Sequence, residues 1–273
     1  MAAARVQRLD AELVRRGLAR SREHAVHLIG AGRVEVGGVI ARKAASGVAG
    51  TTSIRVTSNV DDPAYASRGA HKLVGALRAF PHVAVEGRRC LDAGASTGGF
   101  TDVLLRAGAC EIEAVDVGYG QLVWGLQNDP RVHVHDRTNV RTLTPELIGG
   151  QVDLTVADLS FISLKLVLPA LTACTRADGD LLPMVKPQFE VGRDRLGSGG
   201  VVRDPALRGE VVADISVAAA ELGWDTAGVV ASPLPGPSGN VEFFLLLRRD
   251  PDRALSPSEV AQLVATSDPR GVS

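Results

Sequence analysis

From residue 67 onward the sequence alternates between helix-like segments and short apolar segments typical of strands. Strands are predicted at 89–92, 112–115, 132–135, 152–157, 180–185, 226–230 and 241–247. Helices are predicted at 71–80, 100–107, 121–127, 164–173 and 206–222. This order is typical of an α/β domain with a doubly wound, mostly parallel sheet. Ligands of such sheets bind beyond the carboxyl ends of the strands, so we expect the chemistry there.

A loop of small residues joins the first predicted strand to its helix and reads L-D-A-G-A-S-T-G-G-F over 91–100. Glycines allow the backbone of such a loop to approach a ligand closely. Asp116 ends the next strand, where a carboxylate can hold ribose hydroxyls. The loop lacks the G-x-G-x-x-G spacing of dinucleotide sites and the G-K-[ST] ending of phosphate-binding loops. It resembles motif I of S-adenosylmethionine-dependent methyltransferases, and a purely structural glycine turn is the alternative.

This resemblance implies that S-adenosylmethionine is the cofactor and that its contacts come from the ends of the strands. The candidate cofactor-binding residues are Asp92, Gly94, Ala95, Ser96, Thr97, Gly98, Gly99, Phe100, Asp116, Asn139 and Asp158.

The motif D-L-S-F at 158–161 follows the fourth predicted strand. It limits which kind of atom can accept the methyl group. Enzymes that methylate base amino groups carry [DN]-P-P-[YF] at this place, and the prolines are absent here. Enzymes that methylate pyrimidine carbon use a cysteine nucleophile, and Cys90, Cys110 and Cys174 are poorly placed for that role. Elimination therefore favours an oxygen acceptor.

Only four of the 30 basic residues are lysines, and lysine, unlike arginine, can lose its proton when buried or crowded by positive charge. Lys72 lies in S-R-G-A-H-K-L, Lys186 in V-K-P-Q-F-E and Glu242 in G-P-S-G-N-V-E. Taken singly, each is more readily explained as a surface or ion-pair residue. With Asp158 they follow the Lys-Asp-Lys-Glu order of FtsJ-like ribose 2′-O-methyltransferases. The resemblance implies that these four are catalytic and that Lys186 activates the ribose hydroxyl.

The first 60 residues form a separate basic module. Arginine outnumbers acidic residues there, although the whole chain has a net charge of −1. This asymmetry is typical of a nucleic-acid-binding attachment, and a solvated basic face is the alternative. Helices are predicted at 9–16 and, capped by Ser21, up to residue 29. A hairpin with a Gly37-Gly38 turn follows, with strands at 33–36 and 38–41, and a last strand covers 53–57.

The pattern L-D-x-x-L-x-x-x-G-x-x-x-S-R-x-x-A-x-x-L-I-x-x-G-x-V-x-V-x-G over 9–38 resembles an S4 domain, a small α+β RNA-binding module. The resemblance implies RNA binding mainly through phosphates, which would make the affinity depend on salt. The candidate RNA-binding residues are Arg8, Arg20, Arg22, Arg33 and Lys43. For each of them, an exposed surface charge without a ligand remains the alternative.

Both parts together resemble the TlyA (haemolysin A) family, which implies a Rossmann-like class I methyltransferase that modifies cytidine ribose in ribosomal RNA of one or both subunits. The predicted domains are 1–60 (S4-like), a linker at 61–66, 67–250 (methyltransferase) and a tail at 251–273 with room for a short helix. The linker departs from the family pattern Arg-Ala-Trp-Val because this chain has Pro63-Ala64-Tyr65-Ala66. The linker's contribution to cofactor or RNA binding is therefore open.

Two other classes of function compete with this interpretation. A non-catalytic ribosome-assembly factor would use the S4 module but would not need the acidic and lysine motifs together. A membrane-lytic protein is suggested only by the family's haemolysin name, and no apolar run is long enough for a membrane helix. The three cysteines are far apart, without a Cys-x-x-Cys pair, so we expect neither a disulfide framework nor a metal site. We expect a cytoplasmic monomer that binds ribosomal RNA or ribosomal subunits.

Overall fold

The computed structural model describes residues 6–19, 22–57 and 65–267, and the chain divides into two compact units, Met1–Ala64 and Tyr65–Ser273. Most of the predicted linker, together with Arg20 and the predicted cap Ser21, lies outside the described residues. Tyr65 and Ala66, which the sequence assigns to the linker, pack against a core cluster of the second unit.

Within its described residues, the first unit contains two helices and five short strands. They are β1 (Val6–Arg8), α1 (Leu9–Arg15), α2 (Arg22–Gly30), β2 (Val34–Val36), β3 (Val39–Ile40), β4 (Gly47–Ala49) and β5 (Ile54–Val56). Strands β3, β2 and β5 form an antiparallel sheet, and β1 pairs with β4. The predicted hairpin turn is confirmed: Gly37 and Gly38 both have positive φ, which only glycine adopts without strain. The helices close over a core that includes Leu9, Leu13 and Leu28.

The second unit is a three-layer α/β structure built on one seven-stranded sheet. Its strands are β6 (Arg89–Ala93), β7 (Glu111–Val115), β8 (Val132–His135), β9 (Val152–Ala157), β10 (Thr175–Val185), β11 (Asp225–Ala231) and β12 (Phe243–Arg248). Its helices are α3 (Ala70–Ala79), α4 (Gly99–Arg106), α5 (Trp124–Gln127), α6 (Leu168–Cys174), α7 (Pro187–Glu190), α8 (Pro205–Ala220) and α9 (Pro257–Thr266).

The strands are arranged in the order β11-β12-β10-β9-β6-β7-β8. The pairs β8–β7, β7–β6, β6–β9 and β9–β10 are parallel, and β12 runs antiparallel to both β10 and β11. The chain starts in the middle of the sheet at β6 and reverses its direction of winding between β7–β8 and β9–β10. The doubly wound, mostly parallel sheet is therefore confirmed, and β6 and β9 meet at its switch point.

Two apolar clusters cover the two faces of this sheet. One contains Trp224, Phe243 and Leu245, and the other contains Phe100, Leu104 and Phe244. Adjacent residues Phe243 and Phe244 thus point to opposite faces, as the two-residue period of a strand requires. Burial on both faces explains why these strands are continuous apolar runs that the sequence reveals readily.

The structure differs from the predicted elements where tertiary packing decides the conformation. The predicted helix at 121–127 begins only at Trp124, because Leu122 turns inward and packs on Gly98. The helix at 164–173 is divided into a 3-10 turn over Leu164–Leu166 and helix α6, whose first turn contains Pro169.

The tail beyond residue 250 belongs to the core of the second unit. Helix α9 has a capping box in which Ser256 and Glu259 satisfy each other's backbone donors, and Pro257 occupies its first turn. Val260 and Val264 are fully buried in the main apolar cluster. The second unit therefore extends to at least residue 266, beyond the boundary at 250 that the strand pattern predicts.

Candidate active site

The glycine-rich loop follows β6 and has a backbone that only glycine can adopt at two positions. Gly94 has φ +90° and Gly98 has φ +97°. A Cβ atom on Gly94 would lie 2.6 Å from the carbonyl oxygen of Asp158. One on Gly99 would collide with the Ser67 hydroxyl. The loop is thus packed between the motif that opens the domain and the end of β9, with no room for a side chain at Gly94 or Gly99.

Asp92, at the end of β6, is fully buried beneath this loop. Its Oδ2 accepts a hydrogen bond of 2.6 Å from the hydroxyl of Thr101 on α4, and its Oδ1 has no hydrogen-bond partner. Burial raises the pKa of Asp92 to about 7, and the negative charges of Asp158 and Asp116 act in the same direction. A buried acceptor without a partner fits a site that is completed by a ligand.

Asp116, at the end of β7, fixes the shape of two loops. Its Oδ2 accepts from the backbone N–H of Ser96 at 2.8 Å, and its Oδ1 accepts from that of Gly118 at 2.7 Å. A carboxylate has further acceptor capacity at each oxygen, so these bonds leave room for a ligand hydroxyl. Ser96 itself has φ +46°, an uncommon conformation that its hydrogen bond to Asp116 helps to hold.

The predicted tetrad comes together as two ion pairs. Lys186 Nζ lies 2.5 Å from Asp158 Oδ1, and Lys72 Nζ lies 2.5 Å from Glu242 Oε2. The two pairs meet at Asp158, whose Oδ2 lies 4.0 Å from Lys72 Nζ. Glu242 is fully buried, and both lysines are nearly so. Two positive and two negative side chains therefore balance each other in a site that excludes most water.

Three residues that the sequence did not single out complete the surroundings of the tetrad. The Lys186 amine donates to Ser160 Oγ at 3.0 Å, and Gln188 Nε2 donates to Glu242 Oε1 at 3.3 Å. Lys72 Nζ also lies 3.9 Å from the sulfur of Met184. Each amine is thus held by its own carboxylate and by one further acceptor. Ser160 and Gln188 lie in the recognised D-L-S-F and V-K-P-Q-F-E motifs, which is the only sequence signal that could have identified them.

The turn before β12 is held by Asn240, which is buried. Its Oδ1 accepts from the backbone N–H of Val202, and its Nδ2 donates to the carbonyl of Gly200. At Gly236 any Cβ atom would collide with the Glu242 carboxylate. The G-P-S-G-N-V-E motif is therefore needed to bring a backbone turn directly against Glu242.

A pocket at the carboxyl ends of β6 and β9 joins most of the predicted cofactor residues. It is lined by Ser67, Gly69, Gly94, Ala95, Ser96, Thr97, Gly99, Phe100 and Asp158. The predicted residues Asp92, Gly98 and Asp116 are not among its lining residues. Asn139 is exposed, and its side chain caps a 3-10 turn by accepting from the N–H of Arg141, so the structure does not bring it to the pocket lining. The glycine backbone and the orphan oxygen of Asp92 fit a cofactor with hydroxyl or amine donors.

In the first unit, buried acids organise the exposed arginines. Asp10 is buried and pairs with Arg8 at 2.9 Å and with Arg22 at 3.0 Å. Hydrogen bonds from Arg8 outweigh burial and hold the pKa of Asp10 well below its usual range. Both arginine side chains remain more than half exposed, at 53% and 61%. Lys43 is exposed, and the Arg33 guanidinium donates to the carbonyl of Thr57.

Glu12 likewise forms ion pairs with two arginines, at the end of α1 and directly after it. It is buried, lies 2.6 Å from Arg15 and 2.7 Å from Arg16, and has a pKa lowered to about 2, chiefly by the hydrogen bond from Arg15. Arg16 also donates to the carbonyls of Thr52 and Gly50. Some of the arginines of this unit therefore stabilise its own fold through ion pairs and hydrogen bonds.

The sheet order, the glycine loop after its first strand and the acidic residues at the strand ends define a Rossmann-like methyltransferase. The FtsJ-like methyltransferase family model matches residues 65–249, and the S4 domain model matches residues 7–51. The chain belongs to the TlyA family of FtsJ-like methyltransferases that carry an S4 domain. Its cofactor is accordingly S-adenosylmethionine.

Relatives cover nearly the whole chain. The 16S/23S rRNA (cytidine-2′-O)-methyltransferase TlyA of Mycobacterium tuberculosis is 64% identical over 253 residues, which are 93% of this chain and 94% of the relative. Hemolysin A of Brachyspira hyodysenteriae is 35% identical over 86% of this chain and 97% of its own. A solved structure from Streptococcus thermophilus is 36% identical, covers 96% of both chains and has a TM-score of 0.72. Within residues 6–19, 22–57 and 65–267, no helix is long and apolar enough to cross a membrane.

Proposed function

We propose that the chain transfers a methyl group from S-adenosylmethionine to the 2′-hydroxyl of cytidine in ribosomal RNA. The observation that carries this proposal is the pair of ion pairs, Lys186–Asp158 and Lys72–Glu242, beside the glycine-lined pocket. The M. tuberculosis relative, whose name states this reaction on 16S and 23S rRNA, supports the choice of acceptor. S4 domains bind RNA, and the S4 unit here presents exposed arginines held by buried acids.

The residues that would hold the cofactor are those of the pocket together with the two strand-end carboxylates. The glycine backbone gives close approach, Asp116 is the acceptor for ribose hydroxyls, and Asp92 supports the loop from below. Asn139, on the loop that follows β8, stays a proposed outer contact that a cofactor would meet only beyond the pocket lining. When bound, the cofactor supplies an electrophilic methyl group on a sulfonium.

The chain's own side chains then prepare the hydroxyl. A ribose 2′-hydroxyl is a weak nucleophile, so its proton must be removed as it attacks. Lys186 first has to release the extra proton of its ammonium group; as the neutral amine it then takes the hydroxyl proton at Nζ, while Asp158 at 2.5 Å and Ser160 at 3.0 Å fix its position. Lys72 adds positive charge next to Asp158, and Glu242 and Gln188 hold Lys72 and its carboxylate in place. Burial of the site strengthens each of these interactions.

An exposed aromatic ring beside the tetrad is suited to the target base. Phe161 follows Ser160, is 90% exposed and has φ +63°, which is strained for an aromatic residue. Its ring lies 5.0 Å from that of Phe189, between centroids. Base stacking on an exposed aromatic ring is a common contact in RNA recognition. Phe161 therefore supports an RNA substrate whose target nucleotide leaves its stack.

The protein acts as a monomer in the cytoplasm under this proposal. All four tetrad residues come from one chain, so the site needs no second copy. Ribosomal subunits are the proposed partners, and the cytoplasm is where they are available. The two units divide the work, with the first binding RNA through phosphates and the second carrying out the transfer.

The direct test is methyl transfer from radiolabelled S-adenosylmethionine to purified 30S and 50S subunits and to their free RNA. Ribose methylation is then mapped in cells with and without the protein. We expect label at a cytidine 2′-oxygen, and the same nucleotide should lose its methyl group in the deletion. A chain that binds subunits but transfers no label would favour a non-catalytic assembly factor. Binding of neither cofactor nor RNA would contradict both interpretations.

A further inference from the structure

Two glutamates and two histidines lie on one face of the sheet at its β7–β8 edge. Glu111 and Glu113 are two residues apart on β7, and His133 and His135 are two residues apart on β8, so each pair projects from one face. Glu113 is the register partner of His133. Ligand atoms of Glu111, Glu113 and His133 lie within 4.8 Å of one another. The methyl-transfer mechanism uses none of these side chains.

Arg89 on β6 orients both carboxylates of this Glu-His cluster. Its Nε lies 3.3 Å from Glu111 Oε2, and its Nη2 lies 2.6 Å from Glu113 Oε1. The other oxygen of each glutamate faces a histidine: Glu111 Oε1 lies 3.3 Å from His133 Nε2, and Glu113 Oε2 lies 2.5 Å from His135 Nε2. The ligand atoms of Glu111, Glu113 and His133 are therefore gathered in one place, and His135 adjoins them through Glu113.

The charge and chemistry of the cluster match a transition-metal ion. With neutral imidazoles, two carboxylates face one guanidinium, so a divalent cation would find excess negative charge. Imidazole nitrogen and carboxylate oxygen are both zinc ligands, at about 2.0–2.2 Å, whereas Mg²⁺ and Ca²⁺ prefer oxygen alone. Two ligands of a tetrahedral zinc ion are about 3.4 Å apart, so modest side-chain rotations would suffice. His133 is 51% exposed, which leaves a path for entry.

We propose that Glu111, Glu113 and His133, with His135 adjoining them through Glu113, form a binding site for a divalent transition-metal ion of the zinc type. Bound there, the ion clamps the edge strand β8 to β7. The backbone N–H of Asp116 donates to the carbonyl of His135 at 3.1 Å, so the clamp stiffens the strand ends that carry Asp116. The cysteine pattern gave no sign of such a site, because paired ligands on neighbouring strands become visible only once the register is known.

The test is calorimetric titration of the untagged full-length chain with ZnCl₂, with MgCl₂ as the comparison ion. We expect saturable binding of one Zn²⁺ per chain and no comparable binding of Mg²⁺. The double substitution His133→Asn with His135→Asn should weaken Zn²⁺ binding at least tenfold, since loss of outer partners alone costs about 10–100-fold. His82→Asn is the matched control, because His82 is exposed and lies outside the cluster.

A second variant and a second readout keep the test decisive. If the double variant does not fold, His133→Asn alone replaces it, since this side chain is half exposed. Zn²⁺ should raise the thermal midpoint of the unaltered chain and of His82→Asn more than that of the His133 variant. Absence of saturable Zn²⁺ binding by the unaltered chain, or equal affinity in the unaltered chain and the variants, would overturn the proposal.

Discussion

Lys186 and Lys72 each have a carboxylate of their own, and Asp158 is the carboxylate that both can reach. Lys186 Nζ lies 2.5 Å from Asp158 Oδ1, while Lys72 Nζ lies 4.0 Å from Asp158 Oδ2 and 2.5 Å from Glu242. The four charges come from α3, the residue after β10, the residue before β12 and the loop after β9, positions that are far apart in sequence. The charge balance of the site therefore depends on the whole fold, and removal of a single partner should have consequences beyond catalysis.

Glu242→Gln should lower both stability and activity. The substitution leaves the buried Lys72 ammonium without its carboxylate, and breaking a buried pair from one side costs about 3–5 kcal/mol. Chemical denaturation measures the change in the free energy of unfolding. Glu210→Gln is the matched control, because Glu210 forms its ion pair with Arg195 on the exposed surface, where such pairs contribute about 0–1 kcal/mol. Equal losses in the two variants would show that Glu242 is not a buried counter-ion.

Gly94→Ala should abolish cofactor binding. An alanine there would be strained at φ +90°, and its Cβ would press on the Asp158 carbonyl, displacing the loop or Asp158 itself. Gly87→Ala separates the two effects, since Gly87 has φ +69° but nothing within 4 Å of its Cβ position. We expect both variants to lose about 1–3 kcal/mol of stability from strain. Only Gly94→Ala should lose binding of S-adenosylmethionine in calorimetry.

The cofactor-free protein should become less stable as pH rises from about 5 to 7. Burial raises the pKa of Asp92 to about 7, so the folded state binds a proton that the unfolded chain has released above pH 4. This raised pKa contributes stability at low pH that is lost as pH rises through 7, at up to about 1.4 kcal/mol per pH unit. Asp92→Asn keeps an acceptor for Thr101 and should flatten this dependence. An unchanged slope in the variant would assign the effect to another group.

Arg22→Gln should weaken binding of ribosomal RNA and lower its salt dependence. Loss of one phosphate contact reduces the slope of log affinity against log salt by about 1. Asp10 keeps Arg8 as its partner, so the unit should remain folded. Arg15→Gln is the matched control: Arg15 is also exposed and also shares a buried acid, Glu12, with another arginine, but is not a predicted RNA contact. Filter binding at several salt concentrations should show a smaller slope only for Arg22→Gln.

The sequence predicts the parallel sheet well because its strands are buried on both faces and are therefore continuous apolar runs. It misses β1 and β4, which are three residues long and mix apolar with polar or small residues, as in Val6-Gln7-Arg8. The tetrad is predictable because its motifs are specific in combination. The contacts of Ser160 and Gln188 are not predictable, since a place inside a recognised motif does not say which side chain a polar residue will contact.

The sequence also does not reveal which charged side chains pair with each other across neighbouring strands or near a helix. Asp10 and Glu12 look like ordinary exposed helix residues until their burial is known. The Glu-His cluster depends on the register of β7 against β8, which the pattern of apolar residues does not set to the residue. In both cases the sequence shows that charged residues are present, but it does not show which residue of opposite charge each of them will pair with.

The most direct test of the central claim is single-turnover methyl transfer by Lys186→Arg on the natural ribosomal substrate. Arginine keeps the positive charge beside Asp158 but cannot give up its proton at usable pH. Since general-base catalysis contributes about 10²–10⁴-fold, we expect the rate to fall at least 100-fold while cofactor and RNA affinities stay near those of the unaltered chain. Lys165→Arg, at an exposed ion pair with Asp214, should keep the full rate. Near-normal transfer by Lys186→Arg would contradict the account, because positive charge and positioning alone would then suffice.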